Sequence, residues 1–238
     1  MNQTALPPLL LPGQAAAPPG PCDMTGMYVM HHAFRRDLGR FASAVRLTPL
    51  DQHGTWRALE QRWARFAHEL HEHHTKEDVG IWPLLLERVG GDDRAVLEAM
   101  EAEHALVDPL LERAESLLGR LATSPRSVFT EDERDGLTTT VEELRDALHE
   151  HLSHEEADAI RIIQTEITAD EWAHLEATVL RGKPSPGQML FMLPWATDEL
   201  PAEAVARLLD GAPPPIRWLL ALGRRSYTRL DRRAFAYA

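Results

Sequence analysis

Four amphipathic stripes run through residues 27–162, and on each a histidine stands where a core apolar residue belongs. Helix 1 reads Met27, His31, Phe34, Leu38, Phe41, Val45. Helix 2 reads Leu59, Trp63, Phe66, Leu70, His73, Glu77, with Ile81 and Leu84 beyond. Helix 3 reads Leu97, Met100, His104, Val107, Leu111, Ala114, Leu118. Helix 4 reads Leu137, Val141, Leu144, Leu148, His151, Glu155, with Ile162 beyond. Steps of three and four mark one helical face turned to a core. The polar groups therefore interrupt the buried stripe, and buried imidazoles and carboxylates need a partner.

A lone inward histidine is ordinarily a satisfied core residue. Four in register with two glutamates read instead as a metal site. His73 with Glu77, and His151 with Glu155, are one turn apart on one helix face and can serve the same centre. His31 and His104 add one imidazole each. The carboxylates can bridge two ions while the imidazoles take terminal positions. Imidazole plus carboxylate suits iron, manganese or zinc; with no thiolate in the set, iron or manganese in a dinuclear site is favoured. His32, His68, His71, His74 and His154 fall beside the stripes and read as partners of the ligands or as surface. Of these, His74 is best placed to replace a ligand if helix 2 rotates slightly. Glu72, Asp78, Glu103 and Glu150 are candidate partners for the second ring nitrogens.

The expected fold is all-α: an up-down-up-down four-helix bundle over residues 24–167, after a Pro/Ala-rich arm (1–23) and before a helical extension (168–238). Thr48 and Pro49 should cap and open helix 2, which should end near Val89; Asp92 or Asp93 should cap helix 3. Thr130 with Glu133, and Thr168 with Glu171, have capping-box spacing. Residues 183–197 read as a connector, 201–210 as a short helix, and the segment from Ile216 as a basic amphipathic helix.

Charge divides unevenly. The chain carries a net −12, which argues against nucleic acid as a partner. Residues 212–238 nevertheless hold six Arg and one Asp, a net of +5 against −17 for the rest. That tail reads first as a solvated face and second as a weak membrane-surface or protein contact through Ile216, Trp218, Leu219, Leu220 and Leu222. No apolar run approaches the ~20 residues that span a bilayer, so no transmembrane segment is expected. A single cysteine, Cys22, permits no internal disulfide; with no signal-like start, a cytoplasmic setting is the expectation.

The segments HHAFRRDL, HHTKEDVGIWPLL, EAEHALV and HLSHEEADA together resemble the hemerythrin-like (HHE cation-binding) family, over roughly residues 24–165. The extension is similar to that of actinobacterial hemerythrin-domain proteins. The resemblance implies a non-haem di-iron centre held by His31, His73, Glu77, His104, His151 and Glu155. Oxygen-carrying members have a second histidine one turn after the helix 3 ligand, where this chain has Asp108. Their helix 4 carboxylate is an Asp five residues after the histidine; here Glu155 follows by four. Fewer imidazoles and more hard oxygen donors favour ferric iron. Redox reaction with oxygen, peroxide or nitric oxide is therefore expected in place of reversible oxygen carriage. Pro109 bends helix 3 and can swing Asp108 inward; Asp108 reads as a ligand, a neighbour of one, or a solvated residue.

Three functions compete: a sensor or scavenger of oxygen, peroxide or nitric oxide; a metal-dependent protein-interaction module; and an oxygenase on an organic substrate. Tyr28, three residues before His31, reads as core or as a hydrogen-bond donor to a small ligand. Cys22 reads as an incidental thiol. HEHHTKED contains no His-Glu-x-x-His, so a zinc-protease reading is dropped.

Overall fold

The computed structural model describes residues 7–123 and 130–238. Among them there is no strand; the chain is built from α-helices, three of them carrying a π-helical turn. The bundle consists of α1 (Thr25–Leu47), α2 (His53–Lys76) continued through a π turn (Glu77–Ile81) into α3 (Trp82–Leu86), α4 (Gly91–Thr123), and α5 (Glu131–His154) continued through a second π turn (Glu155–Ala159) into α6 (Ile160–Glu166). Around the ring, α1 packs on α5, α5 on α4, and α4 on α2, while α1 and α2 touch less. The all-α, four-helix arrangement expected from the stripes is what the chain adopts. Phe34, Phe41, Trp63, Phe66, Leu70, Leu97, Leu118, Leu144 and Leu148 are fully buried, as their stripe positions require.

Several boundaries differ from expectation. Thr48 ends α1, giving its N–H to the Ala44 carbonyl, and Pro49–Gln52 form the reversing turn. The Pro49 carbonyl accepts the Gln52 N–H at 3.0 Å and the Trp56 indole N–H at 3.0 Å, so α2 starts only at His53. Helix α3 stops at Leu86, short of Val89. Helix α4 starts at Gly91, whose φ of 59° suits glycine, and Asp92 and Asp93 occupy its first turn, where they face the positive helix end. Leu84, expected on the stripe, is only partly buried, and Leu85 takes its place in the core. A π turn holds one extra residue, so the face beyond Glu77 is shifted by one.

The expected capping boxes at Thr130–Glu133 and Thr168–Glu171 are formed. The second opens α7 (Ala169–Leu175), followed by a third π turn (Glu176–Leu180). Residues expected as a connector instead contain α8 (Pro186–Ala196), opened by a further capping box of Ser185 and Gln188. Ser-Pro-x-Gln is a helix-start signal, outweighed in the sequence by its flanking prolines. Two more helices follow, α9 (Ala202–Leu208) and α10 (Pro214–Ala234), the latter starting two residues before Ile216.

Helices α8 and α10 pack on each other and lie over the seam between α1 and α2. A Cβ on Gly223 would stand 2.1 Å from the Leu190 carbonyl oxygen, so only glycine allows this approach. Under the pair lies a buried polar knot. Asp37 of α1 binds Arg62 of α2 at 2.7 Å, Arg36 at 2.8 Å and the Trp195 indole N–H at 2.8 Å. Residues 7–22 lie over the bundle with Leu9, Leu11 and Cys22 buried. No helix is long and apolar enough to cross a membrane among the described residues.

Candidate metal centre

Mid-bundle, the interrupted stripes converge into two groups of donor atoms. One holds His74, His104 and His151; the other holds His31, His73, Glu77 and Glu155, the atoms within each group lying within 4.8 Å of one another. The carboxylates link the groups. Glu77 places Oε1 3.0 Å from His73 Nε2 and Oε2 3.6 Å from His104 Nε2. Glu155 Oε2 lies 3.1 Å from His31 Nε2 and 3.9 Å from His151 Nε2. Both glutamates open π turns. A π turn widens the helix locally and is often found at functional sites.

Helix hydrogen bonds and packing leave these atoms without ordinary partners. The Nε2 atoms of His31 and His73, both ring nitrogens of His74, and all four carboxylate oxygens of Glu77 and Glu155 are buried and make no hydrogen bond among the described residues. Such a concentration of unsatisfied polar atoms is costly in an apolar core unless a cation fills it. A donor set of five imidazoles and two carboxylates suits iron, manganese or zinc. The residues present therefore fit a pair of cations, with three imidazoles on one side and two on the other.

The outward ring nitrogens are braced. His31 Nδ1–H donates to Glu156 Oε1 at 2.9 Å, His104 Nδ1–H to Asp78 Oδ1 at 2.8 Å, and His151 Nδ1–H to Glu103 Oε2 at 2.9 Å. For His104 and His151 the bond fixes the tautomer and leaves the Nε2 lone pair facing inward, while His31 turns its Nε2 to Glu155. Glu156 is itself gripped by Arg35 at 2.6 and 2.9 Å and by the Ala15 N–H at 2.7 Å.

Electrostatics divide the groups. Burial pushes Glu77 well above the usual carboxylate range, with Glu155 and Asp78 adding to it. Burial opposes ionisation of Glu155 too, but His31, His73 and His151 hold it at about 2. Burial depresses His73 and His74 well below 6.5, so both are neutral donors. His31 is the exception: burial alone would lower it, but Glu155 and Glu156 push it up to about 9.

All six residues singled out in the sequence line one or other group. His74 joins them as a seventh, and it is the more deeply buried of the His73–His74 pair. Asp108 belongs to neither group. Of the four acids considered as braces, Asp78 and Glu103 act as such, whereas Glu72 pairs with Lys76 and Glu150 is exposed. Glu156 was not anticipated; Arg35, one turn after His31, was the available signal. His154 shares Glu103 with His151, at 2.8 Å. The Tyr28 hydroxyl is buried without a partner among the described residues, and burial with the nearby Glu156 and Glu155 raises its pKa.

A cavity of about 550 Å³ reaches the two-imidazole side at His73 and Glu77. Its walls include Met27 and Met30 from α1, Trp172 and Leu180 from the α7 segment, Met192 from α8 and Leu208 from α9. The turn carrying Glu77 is itself pinned from that side, for a Cβ on Gly80 would stand 2.7 Å from Val179 Cγ1.

Buried imidazoles joined by carboxylates inside a helical bundle make this a cation-binding bundle in its donor chemistry. Residues 25–163 match the family described as Hemerythrin HHE cation binding domain, and the chain belongs to that family. No curated protein and no solved structure gives a significant match to it.

Proposed function

We propose that this chain is a non-haem di-iron protein that reacts with or senses oxygen, peroxide or nitric oxide. His31, His73, Glu77 and Glu155 would hold one iron, and His74, His104 and His151 the other, with the two glutamates shared. Iron bound there would supply one-electron redox chemistry and a Lewis-acid position for a small ligand. The observation that carries this reading is the asymmetry of the site. The side with only two imidazoles is the side the cavity reaches, so a small molecule has access to the less occupied position.

The chain's own residues supply the surroundings. Met27, Met30 and Met192 form an apolar stretch of a cavity wall that also carries Glu69, Glu72, Lys76, Arg181 and Arg207. Tyr28 places a buried hydroxyl, without a hydrogen-bond partner among the described residues, near Glu156 and Glu155. The Glu156 brace holds His31 against rotation. A second reading, oxygenation of an organic substrate, is favoured by one observation: the cavity is larger than a diatomic molecule requires, and the extension provides much of its wall.

The deciding experiment is metal content per chain after chelator-free purification, followed by spectra with oxygen, peroxide and nitric oxide. About two irons, with spectra that respond to one of these molecules, support the proposal. One redox-silent zinc, or none, overturns it. Peroxide turnover no greater than that of free iron removes peroxide decomposition as the activity.

A further inference from the structure

Helix α10 presents an outward stripe that the fold leaves uncovered. Trp218, Leu222, Arg225, Arg229, Arg232 and Arg233 follow at helical spacing on one face and are all exposed. Trp218 and Leu222 are 74 % and 69 % exposed, among the most exposed large apolar side chains described. Among the described residues the four arginines form no ion pair. The one acid of the helix, Asp231, is turned inward to Arg40 at 2.7 Å, so the stripe carries no negative charge. The helix is anchored behind by Gly223 on Leu190 and by the Tyr227 hydroxyl, which donates to Asp198 Oδ2 at 2.8 Å. It therefore offers a preformed stripe roughly 23 Å long.

We propose that this stripe docks the protein onto an anionic lipid surface. Charge complementarity is the main argument. Arginine pairs well with phosphate oxygens, and indole and leucine side chains insert between headgroups. The remainder of the chain carries a net −17 and is repelled by such a surface, which turns α10 towards it. A second copy fits worse, because a two-fold contact would set the arginines either against arginines or against the apolar end with Trp218 and Leu222. Nucleic acid fits worse as well, since the apolar end of the stripe offers bases and phosphates no donor beyond the Trp218 indole N–H.

The test is flotation of the full chain with vesicles of phosphatidylcholine alone, and of phosphatidylcholine with phosphatidylglycerol. The chain is expected on the anionic vesicles only, with binding weakened by salt and a blue shift in Trp218 emission. The combined Arg225→Glu, Arg229→Glu and Arg232→Glu variant should bind about 100-fold more weakly. A Trp218→Ser variant should lose the emission shift and part of the binding. These side chains support no packing, so unchanged helical circular dichroism checks that the variants fold. Equal partition to neutral vesicles, or undiminished binding by the triple variant, overturns the proposal. So does stripe-dependent binding to duplex DNA, or stripe-dependent dimers in light scattering, without vesicle binding.

Discussion

His31 and Glu156 meet at 2.9 Å, Nδ1 to Oε1, and the carboxylate is held in turn by Arg35 and by the backbone N–H of Ala15. A donor imidazole is thus oriented by groups from three separated parts of the chain. Replacing Glu156 with Gln should weaken metal retention on the two-imidazole side about 10–100-fold. It should also leave Arg35 buried without its ion partner. Chelator competition followed by metal analysis measures the first effect. Retention equal to the parent would show that the brace has no bearing on the metal.

His74 and Asp108 separate the two accounts of the three-imidazole side. His74→Ala should weaken the ion on the three-imidazole side, so that chelator challenge lowers bound metal from about two ions per chain towards one, because one of that side's three imidazoles is lost. Asp108→Asn should leave the content unchanged, since Asp108 belongs to neither donor group. Metal loss in the Asp108 variant alone would reverse the assignment.

Gly80 couples the extension to Glu77. Gly80→Ala should destabilise the fold by about 1–3 kcal/mol, because the new methyl meets Val179. Thermal melts of Gly80→Ala with Val179→Ala should recover most of that loss. A double variant no better than the single one would place the strain elsewhere.

Acid should loosen the joint between α8, α10 and the bundle. Burial disfavours the Asp37 charge, but Arg62 and Arg36 outweigh it and hold the carboxyl below 3.8. The folded value lies below the unfolded one. Its stabilisation is therefore present above about pH 3.8 and is lost as pH falls through the folded value. Asp37→Asn should cost about 3–5 kcal/mol at neutral pH by removing the close carboxylate partner of Arg62, which is left with Asp231 at 3.9 Å. Denaturant melts against pH should show the parent and the variant converging in acid; a constant gap would refute this.

Cys22 should be inert in the folded chain. Burial, with Glu171 and Glu176, pushes its thiol up to about 12, so the thiolate at pH 8 is on the order of one part in ten thousand. Iodoacetamide should label it only in denaturant, and rapid native labelling would contradict the burial.

The stripes were legible because burial acts on every third or fourth residue, and the six donors among them needed only that arithmetic. His74 escaped it for a geometric reason. Neighbouring residues point about 100° apart, so a single stripe admits only one of them. The donors form two groups, and α2 reaches both, turning His73 to one and His74 to the other. Glu156 was hidden similarly, one residue beyond the stripe in a turn that is π-helical rather than α-helical. No periodic pattern announces a π turn, which also explains why Leu85 rather than Leu84 fills the core. Helix α8 had a readable start, but its apolar run lacks a polar face and resembles a connector.

The bracing of the two donor groups gives the centre a timetable. Asp78 and Glu103, which steady the three-imidazole side, both lie within the bundle and are in place once its helices pack. The two-imidazole side also draws on Ala15 ahead of the bundle, and on Trp172, Met192 and Leu208 after it. During synthesis the first side is complete while the last segments are still unmade. The two-imidazole side is walled in only when the arm carrying Ala15 and the segments from Trp172 to Leu208 have packed on it, so its scaffold precedes its enclosure.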